Sequence, residues 1–297
     1  MMDEDKYLLP PYLYISKIPG KNVRVALIRA FNSWLNIPTD KLELVQNVIN
    51  MLHTGSLLID DIEDNSELRR GVPVAHKVYG VPMTINCANA VYFKALEKIV
   101  ATNDLSAIKV FTEEMVELHQ GQGMDIYFRD NYICPTEQEY KIMVCKKTGG
   151  LFRMAIRLMQ VYSNGCGCEL MTLVDDIGYY FQILDDYLNL RSSNYHDNKT
   201  FCEDITEGKF SFPMIHSIRS NNQDSRLFDI IKTRPTDIAT KQQALKVMES
   251  TGSFKYTIMT LDKLYTSINT QIVNLGGNKL LTEILRGLNT MINPSKL

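Results

Sequence analysis

The chain has 297 residues, 45% of them hydrophobic, and its formal net charge is −2 with an isoelectric point near 6.2. This balanced charge argues against a general binder of nucleic acid or of anionic membrane surfaces. The opening "MMDEDKYLLP" lacks the apolar stretch of a secretory signal, and no window approaches about 18 uninterrupted apolar residues. Six scattered cysteines are typical of reduced thiols, so we expect a cytoplasmic protein without a membrane anchor.

The apolar pattern is helical almost throughout the chain. Apolar residues recur at three- and four-residue steps from Leu42 to Ile62 and again over residues 170–190, which predicts a helix in each segment. Asp40 is a predicted helix cap, and so is Thr136, which has Glu139 three residues later. We expect no convincing pair of strands joined by a two-residue turn.

Turn-forming residues interrupt the helical pattern at six places and mark the predicted connections between helices. These places are residues 36–40, 71–82, 132–138, 164–167, 233–237 and 276–277. None of them has the composition of a low-complexity linker. We therefore predict an all-α fold in which residues 1–297 form one domain, a bundle of about ten or more helices.

Two acidic motifs follow apolar runs. In "LLIDDIEDNSELRRG", Asp60 and Asp64 lie one helical turn apart with Asp61 beside them, and "FQILDDYLNL" repeats this spacing from Asp185. An isolated acidic cluster is most often a solvated helix face that tolerates some repulsion. The recurrence after an apolar run instead favours two facing helices whose carboxylates bind Mg²⁺, a cation that also takes substrate phosphate oxygens.

Basic residues suited to phosphate oxygens accompany these motifs. Each alone would be interpreted as a solvated surface cation, but they stand beside glycine, threonine and acidic residues. They are Lys21, Arg24, Arg69, Arg70, Lys147, Lys199 and Lys209.

Five long motifs together carry a family resemblance. They are "LLIDDIEDNSELRRG", "HQGQGMDIYFRD", "KKTGGLF", "FQILDDYLNL" and "FCEDITEGKFSFPMIHSI". In order and spacing they resemble the trans-prenyltransferases, or polyprenyl diphosphate synthases, and are closest to the eukaryotic geranylgeranyl diphosphate synthases. The resemblance covers nearly the whole chain. It implies the isoprenoid synthase fold with helices around a central cavity, two or three Mg²⁺ ions per active site, and a homodimer or higher homo-oligomer.

The resemblance also implies an activity: the condensation of isopentenyl diphosphate with farnesyl, geranyl or dimethylallyl diphosphate by ionisation, condensation and elimination. The implied metal ligands are Asp60, Asp61, Asp64 and Asp185, and Lys147 and Lys199 join them as catalytic residues. The implied isopentenyl diphosphate site is Gly20, Lys21, Arg24, His53 and Arg70. The implied allylic diphosphate site is Arg69, Lys147, Thr148, Gln182, Lys199 and Lys209. The two arginines of "ELRRG" are thus expected to reach for two different diphosphates rather than to pair with the acids.

A pocket that sets product length is implied at Gly55, Ser56, Tyr92, Phe93 and His119. The small residues before the first aspartate motif are expected to permit elongation to twenty carbons. The alternative interpretations are close helix packing at the glycine, ordinary core aromatics and a hydrogen-bonded core histidine. Two alternative functions also remain, a terpene synthase recruited from the family and a non-catalytic regulatory subunit of a prenyl synthase.

Overall fold

A computed structural model describes residues 4–18, 20, 23–163, 170–191, 201–221 and 223–292 of the chain. Lys21, Lys199 and the predicted break at 164–167 lie outside these described residues. The described part contains sixteen helices and one two-stranded hairpin, which confirms the predicted all-α fold. None of its helices is both long and apolar enough to cross a membrane.

The helices are α1 (Asp5–Leu8), α2 (Pro10–Ser16), α3 (Val23–Leu35), α4 (Thr39–Glu63), α5 (Ala75–Tyr79), α6 (Val81–Val100), α7 (Leu105–Asp130), α8 (Glu137–Lys147), α9 (Gly149–Tyr162), α10 (Met171–Arg191), α11 (Glu203–Glu207), α12 (Phe212–Ser220), α13 (Arg226–Lys232), α14 (Ile238–Ser250), α15 (Ser253–Asn274) and α16 (Lys279–Thr290). The strands are β1 (Leu68–Arg69) and β2 (Val72–Pro73).

Both strongly periodic segments form the predicted helices, as α4 and α10. The helix start at Thr136 is confirmed as a capping box, in which the Thr136 hydroxyl accepts from the Glu139 amide at 3.1 Å. The predicted cap at Asp40 is wrong. Pro38 holds an extended conformation and α4 begins at Thr39, so Asp40 lies inside the first turn, where its charge still suits the helix dipole.

The expectation of no strand pair with a two-residue turn is also wrong. Strands β1 and β2 pair antiparallel, with Leu68 opposite Pro73 and Arg69 opposite Val72. Arg70 and Gly71 form the turn, with φ of 55° and 80°. Positive φ at both central residues matches a tight hairpin turn, but strands of two residues are too short to show an alternating pattern.

The described chain forms two compact units. The first comprises described residues within 1–116 and 151–169, and the second those within 117–150 and 170–297. The first has a buried apolar cluster formed by Leu9, Ile15, Leu58, Ala75, Cys87, Ala88 and Val91. The second has one formed by Leu190, Cys202, Ile205, Met214, Leu227, Ile231, Ala244, Met248 and Phe254. A single functional domain over the whole chain stays a prediction.

Candidate active site

The first aspartate motif lies at the C-terminal end of α4. Asp60 and Asp61 belong to the last turn of this 25-residue helix, and Asp64 is its C-cap. The Asp61 side chain is fully buried, whereas that of Asp60 is 25% exposed. Carboxylates in this position repel one another and also face the negative end of the helix dipole. The end of α4 therefore favours a cation strongly.

Arg69 provides a cation at this end of α4. Its Nε donates to Asp61 Oδ1 at 2.8 Å, its Nη2 also binds that oxygen, and Nη2 lies 3.4 Å from Asp60 Oδ2. The expectation that Arg69 would not pair with these acids is therefore wrong for this structure. The cause is the hairpin, which places the Arg69 guanidinium against the buried Asp61 carboxylate.

The chemistry of these donors fits Mg²⁺. Asp60 and Asp61 offer hard carboxylate oxygens, and the same oxygens already hold a guanidinium. Among the described residues, no three histidine, cysteine or acidic side chains are already arranged as a metal-binding group. A divalent ion at Asp61 Oδ1 would therefore compete with the Arg69 guanidinium for that oxygen.

Arg24 and His53 form the centre of the expected isopentenyl diphosphate site. Arg24 Nη1 lies 3.0 Å from His53 Nε2, and its guanidinium lies 5.3 Å from the centre of the Phe152 ring. Burial, together with the charges of Arg24 and Arg70, lowers the pKa of His53 well below its usual range. The ring is therefore neutral, and because a guanidinium can only donate, His53 Nε2 is the acceptor.

Arg70 is fixed by a different contact. Its Nη1 donates to the carbonyl oxygen of Ile18 at 2.6 Å. Gly20 lies against the same guanidinium, because a Cβ atom on Gly20 would stand 2.8 Å from Arg70 Nη2. The left-handed backbone of Arg70 is an uncommon conformation for a side chain of this size. The hairpin thus directs Arg69 and Arg70 to different partners.

The expected chain-length residues divide between buried and exposed positions. Gly55 is buried, and a Cβ there would lie 2.9 Å from Tyr92 Cε1 and 3.5 Å from Val91 Cγ1. The Ser56 hydroxyl donates to the His53 carbonyl at 2.9 Å, within α4 itself. Gly55 therefore lets α4 and α6 approach closely and brings the Tyr92 ring against α4.

Phe93 and His119 have different surroundings. Phe93 is 71% exposed, since consecutive residues on a helix point about 100° apart and its neighbour Tyr92 takes the packed side of α6. His119 is exposed on α7. The structure does not bring Phe93 to the contact between Gly55 and Tyr92, and the roles of Phe93 and His119 stay predictions.

In the second unit, Lys147 is held by a carboxylate. Its Nζ donates to Asp125 Oδ2 at 2.6 Å, with both side chains mostly buried. Gly121 makes this contact possible, because a Cβ on Gly121 would lie only 2.4 Å from the Lys147 backbone nitrogen. The absence of a side chain at Gly121 lets α7 approach the end of α8, and Asp125 follows one turn later on α7.

Lys209 lies among acidic side chains just after α11. Burial alone would lower the pKa of Lys209, but the carboxylates of Asp204, Asp186 and Asp125 hold it well above its usual range. Gly208, with φ of 76°, ends α11 in the left-handed conformation and lets the chain turn at this point. Lys209 therefore presents a permanent positive charge.

Thr148 and Gln182 belong to one hydrogen-bond network. Thr148 Oγ1 donates to Gln182 Oε1 at 2.6 Å, and Gln182 Nε2 donates to Asp186 Oδ1 at 2.8 Å. Asp186 Oδ2 accepts from the Tyr140 hydroxyl at 2.5 Å. Burial and the neighbouring Asp186 raise the pKa of Tyr140, so its hydroxyl keeps the proton that it donates.

The three polar positions of "DDYLN" have different environments. Asp186 is 1% exposed and bound within the protein, whereas Asp185 is only partly buried. Asn189 is 3% exposed, and its Oδ1 accepts from the backbone amide of Asp204 at 3.3 Å. Identical spacing in the two aspartate motifs therefore does not produce identical surroundings.

The sequence interpretation did not single out Asp125 or Tyr140. Asp125 is part of the quoted motif "HQGQGMDIYFRD" and lies one helical turn after Gly121, so the motif itself was a usable signal. Tyr140 lies on the buried face of α8, where an aromatic residue is ordinarily a core residue. Only its hydroxyl contact with Asp186 distinguishes it.

Comparisons with known proteins agree with the helical fold and with the clusters of carboxylates and basic residues described above. A model of the polyprenyl synthetase family matches residues 5–248. A terpene synthase from Matsumurasca onukii is 50% identical over 286 residues, which cover 96% of this chain and 94% of that protein. A geranylgeranyl pyrophosphate synthase from Mucor circinelloides f. lusitanicus is 49% identical over 278 residues, covering 94% and 91%. Another, from Dictyostelium discoideum, is 48% identical over 284 residues, covering 96% and 93%.

The chain therefore belongs to the polyprenyl synthetase family. Enzymes of this family are prenyltransferases that use isopentenyl and allylic diphosphates, and they generally depend on Mg²⁺. The family relationship predicted from the five motifs is confirmed.

Proposed function

We propose that this chain is a Mg²⁺-dependent geranylgeranyl diphosphate synthase that condenses isopentenyl diphosphate with an allylic diphosphate, preferably farnesyl diphosphate. The observation that carries the proposal is the similarity to two proteins named geranylgeranyl pyrophosphate synthase, each about half identical over more than nine-tenths of the chain. The cationic and carboxylate clusters support it, because they match the charge of two diphosphate substrates.

The proposal assigns isopentenyl diphosphate to Gly20, Lys21, Arg24, His53 and Arg70. The neutral His53 ring accepts a hydrogen bond from the edge of the Arg24 guanidinium, and Phe152 packs against its face, so these two contacts orient Arg24 for an anionic partner. Arg70 is held by the Ile18 carbonyl. Two oriented guanidinium groups suit the planar, bidentate recognition of phosphate oxygens.

The proposal assigns the allylic diphosphate to Arg69, Lys147, Thr148, Gln182, Lys199 and Lys209. Asp60, Asp61, Asp64 and Asp185 would hold two or three Mg²⁺ ions, which supply positive charge against the leaving diphosphate when bound. Arg69 exchanges its contacts with Asp60 and Asp61 for diphosphate oxygens. Lys147, Lys199 and Lys209 add charge, with Asp125 orienting Lys147. Electrostatic stabilisation of the departing diphosphate then permits ionisation of the allylic carbon–oxygen bond.

The carbocation is attacked by the double bond of isopentenyl diphosphate, and a proton is then lost to the released diphosphate. The oxygens of Thr148 and Gln182 are assigned to the positive carbon, where oxygen dipoles lower its energy. The Gly55 and Tyr92 contact is assigned to the tail of the growing product. Ser56, Phe93 and His119 complete the proposed chain-length set.

One assay tests the proposal against its alternatives. The purified chain is incubated with Mg²⁺, isopentenyl diphosphate and radiolabelled farnesyl diphosphate, and the products are separated before and after phosphatase treatment. Geranylgeranyl diphosphate is the expected product. A hydrocarbon or alcohol made without isopentenyl diphosphate would instead identify a terpene synthase, a function favoured by the name of the Matsumurasca onukii relative. No turnover would support a regulatory subunit.

The proposal includes a cytoplasmic location and a homodimer or higher homo-oligomer. Sedimentation equilibrium at several concentrations measures the assembly, and a mass of about 34 kDa at all of them would contradict it.

A further inference from the structure

A network of four hydrogen bonds connects a buried tyrosine to the proposed carbocation pocket. The Tyr140 hydroxyl and the Phe212 backbone amide both donate to Asp186 Oδ2, at 2.5 and 2.8 Å. Gln182 Nε2 donates to Asp186 Oδ1 at 2.8 Å, and Thr148 Oγ1 donates to Gln182 Oε1 at 2.6 Å. All of these residues belong to the second unit.

The donors in this hydrogen-bond network determine the orientation of the Gln182 side-chain amide. The Phe212 amide can only donate, so Asp186 Oδ2 must accept. Burial raises the pKa of Asp186, but the adjacent cation Lys209 opposes that shift and favours the ionised carboxylate, whose Oδ1 accepts as well. Gln182 therefore has to present its NH₂ group to Asp186, which leaves its carbonyl oxygen beside Thr148. Rotating the amide by 180° would set two acceptors against each other at a carboxylate that is only 1% exposed.

We infer that Asp186 and Tyr140 are positioning residues, which hold the Gln182 amide so that its carbonyl oxygen, rather than its NH₂ group, faces the allylic substrate. The inference rests on the proposed function in so far as Thr148 and Gln182 line the site of the carbocation. It assigns the two adjacent aspartates of "DDYLN" different tasks: Asp185 binds metal, and Asp186 sets the orientation of a neighbouring amide.

The chemical consequence follows from the two ends of the amide dipole. The carbonyl oxygen carries a partial negative charge and favours an adjacent carbocation, whereas the NH₂ group carries a partial positive charge and opposes it. Reversal of this one group changes the energy of the cationic state, and the contacts of Arg24, His53 and Arg70 in the proposed isopentenyl diphosphate site are not part of this network. The expected signature is a lower kcat with little change in the KM for isopentenyl diphosphate.

Replacing Asp186 with asparagine tests the inference by reversing the amide. The carbonyl of the introduced asparagine has to keep the bonds from Phe212 and Tyr140, so its NH₂ group turns toward Gln182 and donates to the Gln182 carbonyl. We expect Asp186→Asn to reduce kcat about a hundredfold, as for the loss of one preorganised electrostatic group. The double variant Asp186→Asn with Gln182→Glu restores an oxygen beside Thr148, so it should recover at least about tenfold of that loss.

Tyr140→Phe has a matched control in Tyr180→Phe. Both tyrosines are fully buried, and the Tyr180 hydroxyl donates to Asn289 Oδ1 at 3.3 Å, a contact outside this network. Each variant loses one buried hydroxyl hydrogen bond, and Tyr140→Phe should be the more destabilised of the two because its bond is shorter and goes to a carboxylate. Only Tyr140→Phe should lower kcat, by about threefold to tenfold, because one of the two donors that define Asp186 Oδ2 is lost.

A binding measurement separates this inference from the proposed function. A non-ionisable farnesyl thiodiphosphate and an ammonium analogue that mimics the allylic cation are titrated with inorganic diphosphate and Mg²⁺ present. The wild-type enzyme should prefer the cationic analogue, and Asp186→Asn should lose most of that preference. A wild-type protein that neither turns over nor binds the neutral analogue would overturn the proposed function and, with it, the inference.

The inference alone is overturned if the wild-type enzyme is active and Asp186→Asn, folded by circular dichroism and thermal melting, keeps the wild-type kcat and the wild-type preference. A folded double variant no more active than Asp186→Asn would also overturn it. Either result would reduce Asp186 and Tyr140 to structural residues.

Discussion

Substituting Gly121 with Ala tests whether the close approach of α7 to the end of α8 positions Lys147. The added Cβ would lie 2.4 Å from the Lys147 backbone nitrogen and 2.7 Å from Lys146 Cβ, whereas ordinary contacts begin at 3.4 Å. A shift of about 1 Å is therefore required of packed backbone, and overpacking of this kind costs about 1–3 kcal/mol. The better helix propensity of alanine returns at most about 1 kcal/mol of this.

The same shift moves Lys147 relative to Asp125, whose oxygen now lies 2.6 Å from the ammonium nitrogen. Misplacement of a charged group by about 1 Å can lower turnover about a hundredfold, so we expect Gly121→Ala to lose ten- to a hundredfold in kcat. Steady-state kinetics with both substrates measures this loss. Urea unfolding followed by circular dichroism gives the change in the free energy of unfolding.

Gly123→Ala is the matched control, because Gly123 lies two residues away on the same helix and has no atom within 4 Å of its would-be Cβ. This variant should be stabilised by up to about 1 kcal/mol and should keep full activity. If Gly121→Ala and Gly123→Ala unfold at the same urea concentration and turn over equally fast, the close approach does not position Lys147 and the reasoning is refuted.

Three further outcomes concern the first unit. Gly20→Ala should displace the Arg70 guanidinium and raise the KM for isopentenyl diphosphate about tenfold, with little change in stability, because only a flexible side-chain end has to move. Tyr92→Ala should lengthen the product by one or more isoprene units, measured by chromatography of the dephosphorylated alcohols. Because burial and Arg24 lower the pKa of His53, the native state binds fewer protons than the unfolded chain between that lowered pKa and 6.5. The free energy of unfolding should therefore decrease as the pH is lowered below about 6.5, by up to about 1.4 kcal/mol per pH unit.

Each of these outcomes has a specific control. An unchanged KM in Gly20→Ala would show that Arg70 does not touch isopentenyl diphosphate. Tyr92→Phe keeps the ring and should keep the wild-type product, so a longer product from both variants would contradict the role of the ring. His53→Gln offers Arg24 an acceptor that does not titrate. If the difference in unfolding free energy between wild type and this variant does not change with pH below 6.5, the protonation argument is wrong.

The fold could be predicted where local chemistry decides it. The periodic segments that became α4 and α10, and the capping box at Thr136, depend on residues within a few positions of one another. The sequence did not predict the hairpin, because its strands are only two residues long and its turn requires a positive φ at Arg70, which is uncommon for an arginine. A twelve-residue stretch interpreted as a break between helices, residues 71–82, likewise contains the short helix α5.

The candidate site was predictable as a set of residues but not as a set of partners. The motifs identify the aspartates, arginines and lysines as candidate site residues, because the types and spacing of these residues suit a metal and two diphosphates. That Arg69 binds Asp61, and that Asp125 binds Lys147, depends on contacts between side chains that local periodicity does not specify. Periodicity identifies which face of a helix is apolar, but it contains no information on which side chain stands opposite.

The helical class, the two aspartate motifs, the basic residues and the family resemblance can be inferred from the sequence alone, because each of these depends on residue type and short-range spacing. The role of the repeated motif at each copy depends instead on tertiary packing. Asp61 faces a guanidinium at the end of α4, whereas Asp186 receives a tyrosine hydroxyl, a backbone amide and a glutamine amide. The two aspartates come from the same local pattern, and they differ because burial and neighbouring donors, which long-range packing supplies, determine the partners of a carboxylate.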